Sequence, residues 1–441
     1  MLSEGIGVSR LFGRGFLSLI ITQFFGAAND NVLKTVLVFC VVDGLWQGTL
    51  GSGGQGIVSL CMFVPFILLS GYGGQVADRF SKRNVSVAVK IAEVPIAVVA
   101  AIGFMTGTLW IAMLAMLLLA SQSAFFGPSK YGMIPELVDD ADLSRANGAI
   151  NMMTNIAVIG GTLIAGFVTD LFSPQAVPGG VAPEPVSWLP GAVLVAVAGM
   201  GLAASFLIPK LPACKPDLKF DLNPVGCYVE SLRDMARGPL LMVALAWGYF
   251  YFLAGLALLI LPEYTVVLQI TRAKASMLLG ILGVAIGLGS VVAGLVSGRR
   301  IEPRLIPIGA LGISVAFLLL GFVSGSFAAV AALIFVAGLF AGAYIIPLQA
   351  MLQHYSPDDE RGRFLGTANA ISFAFLATAS AVYWVIRPAF GTQPHRIFII
   401  CGVVMLVGAA YFMYRLRSQM KGVEVHDRPL PSSAATSRED E

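Results

Sequence analysis

Long apolar runs of roughly bilayer length, separated by short charged or Gly/Pro-bearing stretches, recur twelve times along the chain. They fall at 16–42, 55–76, 84–105, 108–127, 147–170, 189–208, 238–261, 276–297, 305–324, 328–352, 364–386 and 396–416. A spanning helix needs ~20 predominantly apolar residues, so the pattern predicts an all-α integral membrane protein of twelve transmembrane helices. The polar stretches set the boundaries. Residues 209–237 carry five Lys and Arg and read as a cytoplasmic linker between an N-terminal six-helix half, 1–208, and a C-terminal half, 238–416. Residues 171–188 hold Pro174, Pro178, Pro183 and Pro185 and read as an external loop. Residues 417–441 are polar and Ser/Pro-bearing and read as a disordered cytoplasmic tail.

Composition agrees with the pattern. Hydrophobic residues make up 57% of the 441 and charged residues 12%, against roughly 25% charged in soluble domains, and mean hydropathy is +0.83. A net charge of +3 is too small to point to nucleic acid, so the placement of charge matters more than its sum. With the N-terminus inside, 22 of the 28 Lys and Arg fall on inside segments, counting Arg415 with the tail, and four fall outside (Arg272, Lys274, Arg387, Arg396). This asymmetry predicts cytoplasmic termini. The first apolar run is too long, and too polar at its middle, for a signal peptide. The five cysteines show neither a CxxC pair nor a zinc spacing, so no disulfide framework or metal site is expected.

Two motifs recur at nearly one offset. Gly74 to Arg79 reads G-x-x-x-D-R, and Gly294 to Arg299 reads G-x-x-x-G-R with Arg300 following. Arg145-x-x-Gly148-x-x-Asn151 opens the fifth span, and Arg363-x-x-Gly366-x-x-Asn369 opens the eleventh. The offsets, 220 and 218, predict two six-helix pseudo-repeats. Parallel repeats of this kind occur in secondary transporters, with the substrate cavity between the halves near the bilayer midplane.

Charges within the spans mark the candidate cavity. The first span carries Asn29, Asp30, Asn31 and Lys34, and the third carries Lys90 and Glu93. An Asp or Lys at a helix centre costs ~2.5–3.5 kcal/mol on insertion scales and normally faces a partner or a cavity. Asp30 and Lys34 share a face at i,i+4 and can pair with each other. Lys90 is close enough to the inner surface to snorkel. Glu263 and Arg387 lie near the outer surface and read as rim or gating residues. His354 and Asp359 make H-x-x-x-x-D, an acyltransferase spacing in which the His is a base oriented by the Asp. The pair sits in a short loop with no catalytic domain around it, so a membrane acyltransferase is the weaker reading. No GxSxG or Walker loop occurs, so neither an enzyme nor an ATP-driven pump is expected, nor any cofactor.

Gly74, Asp78, Arg79, Lys82 and Arg83, as G-x-x-x-D-R-x-x-K-R, resemble the signature cytoplasmic loop of the major facilitator superfamily. There the glycine permits close helix approach, and the Asp and Arg form charge-assisted bonds that latch one state. QFFGAANDN (Gln23–Asn31), GQVAD (Gly74–Asp78), FGPSKYGMIPEL (Phe126–Leu137) and LSRANG (Leu143–Gly148) together resemble that superfamily's bacterial lysophospholipid transporters, most clearly over residues 15–170. The resemblance implies the major facilitator fold in the bacterial inner membrane. It also implies a flippase that moves lysophosphatidylethanolamine and lysophosphatidylglycerol inward by alternating access, for re-acylation by a cytoplasmic-side acyltransferase. It puts Asp30 and Asn31 in the headgroup region with Lys90 nearby. Lys130, Tyr131 and Arg145 fall in a cytoplasmic loop that gates the cavity, alongside Arg299, Arg300 and Arg363 of the repeated motifs. A monomer is expected. The alternatives are a proton-coupled exporter of drugs or metabolites, with Asp30 or Glu93 carrying the proton, and a non-transporting receptor.

Overall fold

The computed structural model describes residues 13–45, 47–138, 143–174, 184–213, 216–217, 220, 223–297, 301–356 and 361–420. In the bilayer core a backbone amide finds no water, so a spanning segment must satisfy its hydrogen bonds internally, and single helices do so. The chain forms α1 (Arg14–Val42), α2 (Gln55–Arg79), α3 (Lys82–Met105), α4 (Leu109–Leu137), α5 (Leu143–Phe172) and α6 (Leu189–Phe206). After α7 (Pro224–Met235) come α8 (Leu240–Ile260), α9 (Arg272–Ser297), α10 (Leu305–Leu320), α11 (Phe327–Tyr355), α12 (Arg361–Ile386) and α13 (Ile397–Met420). Among the described residues eleven helices are long and apolar enough to cross a membrane, and α10 is an apolar helix of 16 residues.

The packing repeats. In the first half α1 packs on α5 and α6, α4 on α2 and α3, and α3 on α6. Advancing each label by seven gives the pairs of the second half: α8 with α12 and α13, α11 with α9 and α10, and α10 with α13. The two bundles meet along α2 against α12 and α5 against α9. Phe66 of α2 stacks on Phe373 of α12, with ring centroids 4.9 Å apart. Apart from Met235 of α7, the buried residues of the largest apolar core all belong to the second half, Leu240 to Ala409, and those of the others all belong to the first half. Each half therefore buries its own core.

Several helices outrun their predicted ends, α4 furthest. The fourth run was expected to end at 127, and proline, here at 128 and 135, disfavours a helix interior. Instead α4 continues through Pro128 and Pro135 to Leu137, which neighbouring helices allow in a membrane bundle. Lys130 and Tyr131 are therefore helical residues, not members of a loop. Likewise α2 runs through Gly74 and Asp78 to Arg79, so the turn itself is only Phe80 and Ser81. Within 209–237 the sequence reading saw only a linker, but α7 forms there. Its start signals were present: Pro224 is the first helical residue, and Asn223 accepts from the Gly226 amide at 3.1 Å as the N-cap.

Candidate functional site

The intramembrane charges of the first half sort into a buried structural group and a group beside the cavity. Glu93 on α3 accepts from Lys90 Nζ at 2.5 Å and from Asn29 Nδ2 at 2.7 Å. Lys90 is 1% exposed and Glu93 0%, so Lys90 does not snorkel to the inner surface. It is held because Gly26 of α1 has no side chain. A Cβ there would collide with the Lys90 ammonium, and the partner carboxylate lies within a turn on the same helix. Lys90 also lies 5.4 Å from the centroid of the Phe126 ring on α4. This ion pair ties α1, α3 and α4 together at the level of Asn29.

Asp30 is half-buried and accepts from Ser123 Oγ of α4, at 3.0 and 3.2 Å. It makes no ion pair with Lys34 among the described residues, contrary to the i,i+4 expectation. Same-face spacing permits a contact but does not require one. Asp30 turns toward α4, whereas Lys34 extends over the Phe63 ring of α2, 5.9 Å from its centroid. Lys90, Glu93 and Lys130, on the neighbouring helices α3 and α4, lie close enough to act on the Asp30 charge.

Lys34 opens onto a cavity of about 390 Å³ between the halves, within the size range of small-ligand sites. Its walls differ. The first half contributes Asn31, Lys34, Thr35, Ser59, Asn155 and Thr162 among its lining residues. The second half contributes mainly aliphatic and aromatic groups, including Phe250, Leu258, Leu279, Leu282, Ile286 and Ile345. Asn31 also donates to the Ala27 carbonyl of its own helix at 2.8 Å.

At the end of the bundle opposite the termini, two polar clusters cross the seam. Glu263, just past α8, is bound by Arg387 through Nε to Oε1 and NH2 to Oε2, both at 2.6 Å. The same carboxylate accepts from Tyr383 Oη at 2.8 Å and from Gln55 Nε2 of the first half at 2.6 Å. Glu263 and Arg387 are thus buried, not rim residues. In the second cluster Arg272, the first residue of α9, donates from Nε to Asp43 Oδ2 and from NH1 to the Ser173 carbonyl, both at 2.6 Å. Asp170 of α5 accepts from the backbone amides of Arg272 and Ala273, at 3.0 and 3.1 Å. One half therefore caps a helix of the other. Burial raises the Asp43 carboxyl above its ordinary value, with Arg272 pulling the other way. Sequence reading missed Asp43, Gln55, Asp170, Arg272 and Tyr383. Each sits at the end of a different element, and only the fold brings those ends together.

The residues expected at the cytoplasmic gate lie at the termini end and divide by role. Lys82 is buried and pairs with Glu136 of α4. Arg83 donates to the Ile208 carbonyl at 3.4 Å. Arg79 lies against the Phe220 ring of the linker, 4.8 Å from its centroid. Asp78 is exposed and makes no ion pair among the described residues. Gly74 has open space where a Cβ would stand. Lys130 is 7% exposed and lies 4.4 Å from the centroid of the Tyr131 ring, and the Tyr131 hydroxyl contacts Asn151 Oδ1 at 3.4 Å. Arg299, Arg300 and Asp359 lie outside the described residues, as do the side chains of Arg145 and Arg363. His354 is exposed at the end of α11, against the Tyr355 ring.

The sequence profile of the Major Facilitator Superfamily matches residues 19–306 and, in an overlapping second match, 249–438. Among curated proteins, the lysophospholipid transporter LplT of Cronobacter sakazakii is 30% identical over 388 residues, covering 84% of this chain and 87% of that protein. Its counterpart in Photorhabdus laumondii is 28% identical over 359 residues, covering 78% and 81%. Among solved structures, a bacterial homologue of the human lysosomal transporter Spinster, inward-facing and unoccupied, aligns with a TM-score of 0.69 at 14% identity. That alignment covers 95% of this chain and 98% of that one. A POT family transporter in complex with a thioalcohol-conjugated peptide aligns with a TM-score of 0.71 at 13% identity, covering 92% and 97%. At these identities the likeness to the solved structures is one of fold.

Proposed function

Since this chain belongs to the major facilitator superfamily, we propose that it moves lysophospholipids between the leaflets of the bacterial inner membrane by alternating access. It is a multi-pass membrane transporter; the substrate, the membrane and the direction are the proposal. The observation that carries it is the unequal cavity, whose polar groups are concentrated on the first-half wall while the second-half wall is mainly apolar. A lysophospholipid has one charged head and one acyl chain, and a cavity with one wall for each suits it. The relatives named as lysophospholipid transporters support the same substrate class.

Asp30, Asn31 and Lys34 form the head-binding face in this reading, and the Lys90–Glu93–Asn29 group holds α1 in position. Both termini face the cytoplasm, which makes the end sealed by the Glu263 and Arg272 clusters the outer one. The chain acts as a monomer, is not an enzyme, and delivers its substrate to a separate acyltransferase on the cytoplasmic side. The test is reconstitution in liposomes with fluorescent lysophosphatidylethanolamine and lysophosphatidylglycerol. Transfer between leaflets above protein-free liposomes is expected, and no movement of any lysolipid would overturn the reading.

A further inference from the structure

Among the described residues lining the cavity, Lys34 is the one with a charged side chain. It has no carboxylate partner among the described residues, and its ammonium lies 5.9 Å from the centroid of the Phe63 ring. The other intramembrane cations are engaged elsewhere. Lys90 is consumed by Glu93, and Lys130 does not line the cavity. Asp30, one helical turn from Lys34, faces Ser123. Lys34 is partly exposed to the cavity, and among the described residues no carboxylate neutralises it. A buried or half-buried charge gains from a counter-charge, and a ligand in the cavity is placed to supply one.

We propose that Lys34 is the specificity-determining residue of this cavity and binds the phosphate of a single-chain amphiphile, so that the phosphate, and not the group beyond it, is what the transporter requires. The inference rests on the lysophospholipid reading for the acyl chain but not for the anion. Lys34 is a point charge on a flexible stem with no fixed fork, which suits a phosphodiester whose substituent varies. The six aliphatic and aromatic residues named for the opposite wall supply the contact for the chain. Ethanolamine and glycerol heads are therefore accepted alike, and the same chain on a phosphate-free glycerol head is refused.

The experiment uses the full chain with Lys34→Met and Lys34→Arg. In proteoliposomes, the unaltered protein is expected to move fluorescent lysophosphatidylethanolamine and lysophosphatidylglycerol with similar KM and not to move the monoacylglycerol of the same chain. Lys34→Met raises KM for both phospholipids at least tenfold, Lys34→Arg restores it to within a few-fold, and Tm without ligand does not fall in either variant. In detergent, dodecyl phosphate raises the Tm of the unaltered protein and not of Lys34→Met, while glycerol 3-phosphate at equal concentration raises neither. An unchanged KM in Lys34→Met overturns the proposal, as does efficient movement of monoacylglycerol. Equal protection by glycerol 3-phosphate overturns the amphiphile as the source of the phosphate. If no lysolipid moves but dodecyl phosphate still stabilises the protein through Lys34, the anion site stands and the lysophospholipid reading falls.

Discussion

Glu93 and Asp30 are both intramembrane acids of the first half, yet they do different work. Glu93 is sealed against Lys90 and Asn29, so its loss is a matter of stability. Removing one member of a buried ion pair strands the other and costs about 3–5 kcal/mol, whereas replacing both members is far milder. Glu93→Gln is thus expected to lower Tm in detergent sharply, and the double variant Lys90→Met/Glu93→Gln to recover most of the loss. Equal destabilisation in the single and double variants would show that the pair does not act as a unit. Asp30 is half-buried with one hydroxyl partner, so Asp30→Asn is expected to fold normally. As a member of the proposed head-binding face, Asp30 serves both lipids, so the variant should lose transport of lysophosphatidylethanolamine and of lysophosphatidylglycerol several-fold and to the same degree. Unchanged transport at matched expression, measured in the same liposomes, would remove Asp30 from the site.

Small residues set how closely the helices approach, as they do across membrane bundles. Gly161 of α5 faces Ala28 of α1, and a Cβ there would stand 2.7 Å from the Ala28 carbonyl oxygen, a backbone atom that cannot swing aside. Ala28 adjoins Asn29 and Asp30, so α5 holds the charged turn of α1 in register. Gly161→Val is expected to cost about 1–3 kcal/mol, as overpacking does, and to lower transport at matched expression by displacing that turn. An unaltered melting curve together with full transport would show that α1 has room to move. The element ends tell a related story. Pro128 and Pro135 are interior residues of α4, which runs ten residues past the end of its apolar run at 127. Lys130 is thereby carried on a rigid helix into electrostatic range of Asp30.

Across the whole molecule the two halves are separate cores joined along two seams, and polar bonds close one end. Gln55 is the first-half member of the Glu263 cluster, and its loss leaves the Arg387–Glu263 pair intact. Asp170 caps α9 across the seam. A net hydrogen bond contributes about 1 kcal/mol and an N-cap about 1 kcal/mol. The double variant Gln55→Leu/Asp170→Ala, losing about 2 kcal/mol in all, should therefore favour the state open at that end by roughly 30-fold, since 1.4 kcal/mol corresponds to a factor of ten. Spin-label distances between the ends of α1 and α8 measure this; an unchanged distribution would mean that apolar seam contacts alone hold the closed end.

The sequence by itself determined the number of apolar crossings, the recurrence of the two motifs and the concentration of intramembrane charge in the first half. Each of these depends on residue type and spacing alone, and the cost of unsatisfied polar groups in hydrocarbon leaves a run of ~20 apolar residues few alternatives to a helix. Only the tertiary structure decided which charges pair. Asp30 and Lys34 sit at ideal spacing and part, because Ser123 lies on one side and the cavity on the other. The closing clusters were equally invisible, since Asp43, Asp170 and Arg272, like Gln55, Glu263 and Arg387, are distant in the chain and meet only where the ends of helices from both halves converge.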